Sequence, residues 1–296
     1  MVSAAGDING DGFADVIIGM STADPNGKNQ SGVSHVVFGH SGVNPAEFEL
    51  SSLNGTNGFT VNGVSAGDRS GIRVSSAGDV NGDGLDDLFI SAINVGVNAP
   101  YSGQTYVIFG NTASGPAQFE LSAINGVNGF VINGQTQNDF SGESISNAGD
   151  VNGDGVDDLI IGSQGAEITY VVFGQTNFGS AALELSDLDG SNGFKIHDKS
   201  GRVVSDTGDI NGDGLADLLI GDSNAAYNGT RSGATFVVFG QTSGISDFEL
   251  SDLNGTNGFQ VRGISPYDDS GGIVSGAGDI NGDGYDDLLT QANGQR

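Results

Sequence analysis

The chain has 296 residues, with 9 Lys plus Arg against 37 Asp plus Glu and a formal charge of −28. Nine scattered basic groups cannot form the positive footprint that a nucleic-acid backbone or an anionic membrane surface requires. Glycine fills 52 positions without a Gly-X-Y period, which excludes collagen, and the absence of cysteine excludes disulfides and thiolate metal sites.

The N-terminal residues Met1-Val2-Ser3-Ala4-Ala5 carry neither a basic nor an apolar leader pattern. Any secretion signal is expected outside this segment. No apolar run approaches the ~18 residues of a spanning helix, so membrane insertion is not expected.

The first marker met along the chain is Gly6-Asp7-Ile8-Asn9-Gly10-Asp11-Gly12-Phe13-Ala14-Asp15. Its leading Asp returns at Asp79, Asp150, Asp209 and Asp279, at spacings of 72, 71, 59 and 70 residues. Val37-Phe38-Gly39 returns as Ile108-Phe109-Gly110, Val172-Phe173-Gly174 and Val238-Phe239-Gly240. Asn57-Gly58-Phe59 returns at Phe130, Phe194 and Phe259. The repeats run over 1–67, 68–138, 139–197, 198–267 and, incompletely, 268–296, in one region spanning 1–296. The third spacing is short in two places: Gly162 to Tyr170 is 8 residues where Ser91 to Tyr106 is 15, and Phe194 to Asp209 is 15 where Phe130 to Asp150 is 20. Both deletions fall between apolar runs, where a repeat tolerates length change.

In the second unit the apolar runs are Ile72–Ser76, Leu88–Ile90, Thr105–Phe109 and Phe130–Ile132. Runs this short, rich in Val, Ile, Phe and Tyr and bounded by Gly, Asn, Ser or Asp, read as strands. Four strands in about 70 residues make an antiparallel sheet too small to stand alone, and its repetition predicts an all-β propeller of four full blades and part of a fifth. Two strands of the fifth blade are missing, so the ring is expected to be completed by residues outside the chain or by self-association.

Each Asp loop places oxygen side chains at positions 1, 3, 5 and 9. These are Asp7, Asn9, Asp11 and Asp15; Asp79, Asn81, Asp83 and Asp87; Asp150, Asn152, Asp154 and Asp158; Asp209, Asn211, Asp213 and Asp217; and Asp279, Asn281, Asp283 and Asp287. Alternate residues of a tight loop converge on one point, and three carboxylates there repel without a cation. With the carbonyl of Phe13 at position 7 and water, the set matches the six to eight oxygens of a Ca²⁺ shell. Zn²⁺ would want His or Cys. An EF-hand would carry Glu at position 12, where this chain has Ile18, Ile90, Ile161, Ile220 and Thr290, and a strand follows the loop at once.

The loops Gly-Asp-x-Asn-Gly-Asp-Gly-x-x-Asp, together with the Phe-Gly pairs at Phe38, Phe109, Phe173 and Phe239, resemble the FG-GAP repeats of integrin α-subunit propellers and related bacterial or cyanobacterial surface proteins. The resemblance covers nearly the whole chain. It implies a seven-bladed ring, of which this chain is part, and Ca²⁺ held in the first hairpin of each blade. It also implies that the position 7 carbonyls of Phe13, Leu85, Val156, Leu215 and Tyr285 are ligands. The family's Gly-Ala-Pro element is degraded here to Gly19-Met20-Ser21 and its equivalents.

Other features read as structure. Gly63-Val64-Ser65-Ala66-Gly67 matches a nucleophile elbow but lies in a loop the repeats vary. His35, His40 and His197 occupy unrelated positions in their units. Phe59, Phe130, Phe194 and Phe259 are expected to pack between blades, and Asp68, Asp139, Asp198 and Asp268 of the Asp-x-Ser-Gly element to make turns. Three Asn-Gly-Thr sequons at Asn54, Asn228 and Asn254 are expected by chance in such a composition. The expectation is therefore a non-enzymatic extracellular or cell-surface module, binding about five structural Ca²⁺, with an unidentified protein or glycan partner. The alternatives are a carbohydrate-binding propeller and a non-catalytic accessory domain of a secreted hydrolase.

Overall fold

The computed structural model describes residues 1–42, 46–113, 115–197, 203–243 and 246–292. Asp198, expected in a turn, lies outside them. The described residues form twenty-one strands and five 3₁₀ turns, and they divide into two compact units, one of residues 1–142 and 175–185 and the other of residues 143–174 and 186–296.

In the first unit β1 (Val2–Gly6), β2 (Asp15–Met20), β3 (Val33–Val37) and β4 (Gly58–Asn62) make one antiparallel blade. The next blade is β5 (Arg73–Gly78), β6 (Asp87–Ala92), β7 (Gln104–Ile108) and β9 (Gly129–Asn133). Between β7 and β9 the chain leaves its own blade to form β8 (Gln118–Glu120), which pairs in parallel with β4. In the same way β13 (Ala182–Glu184) pairs in parallel with β9.

The second unit repeats the plan. β10 (Ser144–Gly149), β11 (Asp158–Ser163), β12 (Ile168–Val172) and β14 (Gly193–His197) form one blade. β15 (Val203–Gly208), β16 (Asp217–Asp222), β17 (Ala234–Val238) and β19 (Gly258–Arg262) form the next, and β18 (Phe248–Glu249) is added to β14. β20 (Val274–Gly278) and β21 (Asp287–Thr290) make a final hairpin.

The four expected strands of each blade are thus present, and three blades have a fifth that the repeat pattern did not announce. The donated segments read Phe119-Glu120-Leu121, Leu183-Glu184-Leu185 and Phe248-Glu249-Leu250. Each offers two or three strand residues, too few for a period-two signal. Each is anchored by its Leu, since Leu121, Leu185 and Leu250 are buried.

Second strands explain the packing. β6, β11 and β16 are buried along their whole length, whereas β2 alternates between buried and open positions. A strand covered on both faces needs a continuous apolar run, as in Leu88-Phe89-Ile90 and Leu159-Ile160-Ile161. The Phe of each Phe-Gly pair meets the Phe of the following Asn-Gly-Phe with ring centroids about 6 Å apart, at Phe38–Phe59, Phe109–Phe130, Phe173–Phe194 and Phe239–Phe259. These aromatics are blade-packing residues. In the first unit Phe178 stacks on Phe130 at 3.9 Å and extends that cluster.

Candidate metal loops

Every Asp loop joins the first two strands of a blade, and the first shows how its sequence folds. Asp7 Oδ1 accepts the N–H groups of Gly10 and Asp11 at 2.8 and 3.1 Å, and Oδ2 accepts that of Gly12 at 2.8 Å. Asn9 Oδ1 accepts the Asp11 N–H at 2.9 Å, and Asp11 Oδ1 accepts the Phe13 N–H at 2.9 Å. Side chains thus replace the ladder that a tight loop cannot make, as Asx turns do. The chain turns through positive φ at Gly10 (73°) and Gly12 (87°), which glycine adopts without strain.

Position 9 behaves differently. Asp15 is buried, its Oδ2 accepting the Ile8 N–H at 3.1 Å and its Oδ1 the N–H of Gly39, the glycine of the Phe-Gly pair, at 2.7 Å. The same two bonds recur at Asp87 with Val80 and Gly110, at Asp158 with Val151 and Gly174, and at Asp217 with Ile210 and Gly240. This explains the pairing of the two motifs: the ninth loop residue ties the loop to the third strand's end. It also explains the glycine, because a Cβ on Gly39 would lie 2.5 Å from the Ala14 carbonyl oxygen.

Burial pushes the carboxyls of Asp15 and Asp217 up to about 6, and those of Asp87 and Asp158 up to about 8. Their backbone N–H donors oppose that shift, and the neighbouring position 1 and 5 carboxylates add to it.

The structure therefore draws positions 1, 3 and 5 together at the exposed rim, where Asn9 Nδ2 donates to Asp11 Oδ2 at 3.2 Å. In the first four loops it engages both oxygens of position 9 with backbone, whereas in the fifth Asp287 Oδ2 accepts the Ile280 N–H and Oδ1 accepts from Asn281 Nδ2 at 3.4 Å. Among the described residues no three acidic or histidine side chains are gathered tightly enough to hold a metal as they stand. The donor chemistry nonetheless fits a hard cation. All the side-chain ligand atoms are oxygens, and those that accept a single N–H, such as Asp7 Oδ2 and Asp11 Oδ1, keep lone-pair capacity.

A further role at these loops was not apparent from the motif. Position 8 is Ala14, Asp86, Asp157, Ala216 and Asp286. Asp86 Oδ2 accepts the Asp7 N–H at 2.7 Å and Asp286 Oδ2 accepts that of Asp209 at 2.8 Å, so a loop in one blade holds the start of the loop before it. Where position 8 is Ala216, a backbone bond to the Asp150 carbonyl remains at 3.0 Å. The residue after the Phe-Gly pair adds to the seam, Asn111 N–H donating to the Ile8 carbonyl and Gln241 N–H to that of Val151. Only repetition of Asp at position 8 in three of five units could have signalled this.

The remaining sequence features are placed as turns or strand positions. Asp68 caps the Ser65 N–H, Asp139 that of Thr136 and Asp268 that of Ser265. His35 lies in β3 against Thr60, His40 follows the first Phe-Gly pair, and His197 ends β14.

The FG-GAP repeat family matches residues 2–37, 71–108 and 141–183. Integrin alpha pat-2 of Caenorhabditis elegans is 27% identical over 299 residues, 93% of this chain and 22% of that protein. Integrin alpha-4 of Xenopus laevis is 29% identical over 172 residues, 55% of this chain and 15% of that protein. A phosphatidylinositol-glycan-specific phospholipase D of Dictyostelium discoideum is 29% identical over 221 residues, 67% of this chain and 22% of that protein. The chain spans less than a quarter of the length of each of these relatives. It carries FG-GAP repeats of the kind found in integrin alpha subunits, and its sheets are blades of a β-propeller. Among the described residues no helix is long and apolar enough to cross a membrane.

Proposed function

We propose that this chain is a calcium-binding propeller module of extracellular adhesion or protein interaction, with Ca²⁺ acting mainly as a structural clamp. The observation that carries this reading is one oxygen set, Asp-x-Asn-x-Asp with Asp at position 9, repeated in five loops that each open a blade. Asp7, Asn9, Asp11 and the Phe13 carbonyl would hold the ion in the first loop, with Asp15 near it, and the equivalent residues would do so in the others. The cation would neutralise carboxylates that otherwise repel one another beside a buried one.

Loops of this kind bind in the ~10⁻⁵ to 10⁻³ M range, which suits an extracellular calcium level. The integrin alpha relatives support adhesion or protein interaction, with a protein or glycan partner. A second reading, a non-catalytic accessory domain of a secreted hydrolase, is favoured by the phospholipase D relative.

Counting metal by elemental analysis on protein equilibrated in calcium tests the proposal. About five Ca²⁺ per chain are expected, falling by about one in Asp154→Ala. A chain that retains no calcium, or a variant that loses none, refutes it.

A further inference from the structure

Three of the four Phe–Phe ring pairs lie on a blade that receives a donated strand, and they differ in what covers the second ring. Over Phe130 the loop before β13 places Phe178, stacked at 3.9 Å and standing 6.0 Å from the Phe109 ring. Over Phe194 the donated β18 places Phe248, stacked at 6.3 Å. Phe130 and Phe194 are accordingly only 1% and 7% exposed. Phe59 has no such cover: β8 brings Phe119 nearby, but among the described residues Phe119 forms no ring pair, and Phe59 pairs with Phe38 alone. Phe59 is left half-buried.

A cavity of about 160 Å³ stands beside that uncovered ring, walled by Phe38, Phe59, Leu88, Phe109, Pro116 and Phe119. The sequence accounts for the difference. Segments 110–119 and 174–183 have the same length and share Thr at the third position, and in that register Phe178 corresponds to Ser114, which lies outside the described residues. A serine has no ring to supply. A cavity of about 210 Å³ also borders Phe194, but there Phe248 already covers the ring.

The wall decides the chemistry of an occupant. Its two asparagines are already engaged: Asn111 Oδ1 accepts the Ala113 N–H at 2.8 Å, while Asn128 Oδ1 accepts the Asn125 N–H at 3.0 Å and its Nδ2 donates to the Ala123 carbonyl at 3.1 Å. No described charged side chain lines the cavity. A polar or charged group entering it would lose hydration without gaining a partner, so the wall favours an uncharged apolar group. The volume suits a single six-membered ring, since apolar cavities of ~150 Å³ admit benzene. An aromatic ring gains in addition the contacts with Phe38 and Phe59 that Phe178 makes with Phe109 and Phe130. Gly115 and Pro116 of the wall are exposed, which leaves that side open to solvent.

We propose that this cavity binds a small uncharged molecule through one phenyl-sized aromatic ring, seated over Phe59 as Phe178 is seated over Phe130. The chain carries its own stand-in for that ligand, a phenyl group in the corresponding place of the neighbouring blade. The site uses none of the loop oxygens and does not depend on the calcium reading.

Titration of the intact chain with 4-fluorotoluene, followed by its fluorine NMR signal, tests this. Saturable binding of one molecule per chain is expected, weakened about tenfold in Phe59→Leu, which removes the stacking ring and keeps an apolar wall. Phe178→Ala is expected to open a second site and raise the stoichiometry to two. Methylcyclohexane, similar in size but without a π face, is expected to compete several-fold less well than toluene. Circular dichroism checks the fold of each variant, and if Phe178→Ala does not fold, Phe59→Leu decides. Absent or non-saturable uptake would overturn the proposal. So would unchanged affinity in Phe59→Leu, a stoichiometry that stays at one in folded Phe178→Ala, or equal competition by methylcyclohexane.

Discussion

The two ends of the blades are built on opposite terms. At the Asp-loop end, five repeats keep the same three Asp and one Asn, and the four complete ones keep the same two bonds from position 9. At the other end the backbone is kept and the side chains are not. Arg69 N–H donates to the Gln30 carbonyl, Phe140 to Tyr101 and Asp269 to Arg231, each at 3.0 Å, with both residues of every pair at positive φ. Yet the side chains make an amide contact in the first case, an aromatic pair at 5.9 Å in the second and an ion pair at 2.9 Å in the third. Uniformity marks the end that holds the blades together. Variation on a fixed backbone marks the end free to acquire specificity.

If that division holds, a loop-end substitution costs more than one at the other end. Asp87→Ala removes a buried carboxylate and leaves the Val80 and Gly110 N–H groups without an acceptor, an expected loss of about 3 kcal/mol in chemical denaturation at saturating calcium. A loss below about 1 kcal/mol would show that the ninth position is not an anchor. Asn133→Ala, which unclamps one side of Glu184 and removes the acceptor of Gln104 Nε2, is expected to cost about 1 kcal/mol with calcium stoichiometry unchanged. A cost equal to that of Asp87→Ala would erase the contrast between the ends.

Much of the loop end was legible in the sequence because it is local. Asp, Asn and Gly at fixed offsets specify a turn within ten residues, and the apolar runs around Leu88, Thr105 and Phe130 specify strands by composition alone. What escaped depends on the neighbouring blade. Gln118-Phe119-Glu120 offers one apolar residue and becomes a strand only because β4 presents a free edge. Asp86 means nothing until the Asp7 N–H is beside it. The deletion between Gly162 and Tyr170 was measurable in the sequence, but what such a connection does was not, since Asn98, in the equivalent connection of the second repeat, acts on Glu184 from the next repeat. The position 9 residues were readable as oxygen donors, whereas their burial and their bonds to the Phe-Gly glycines required the third strand in place.

Thermal unfolding of the intact chain in excess chelator and in saturating calcium tests the central claim most directly. One site held at 100 times its dissociation constant adds about 2.7 kcal/mol, so several filled loops should raise the melting temperature by many degrees. The account predicts that rise, with the chelated form melting early because its loop carboxylates repel. Identical melting in the two conditions would contradict it and leave the Asp loops as turns alone.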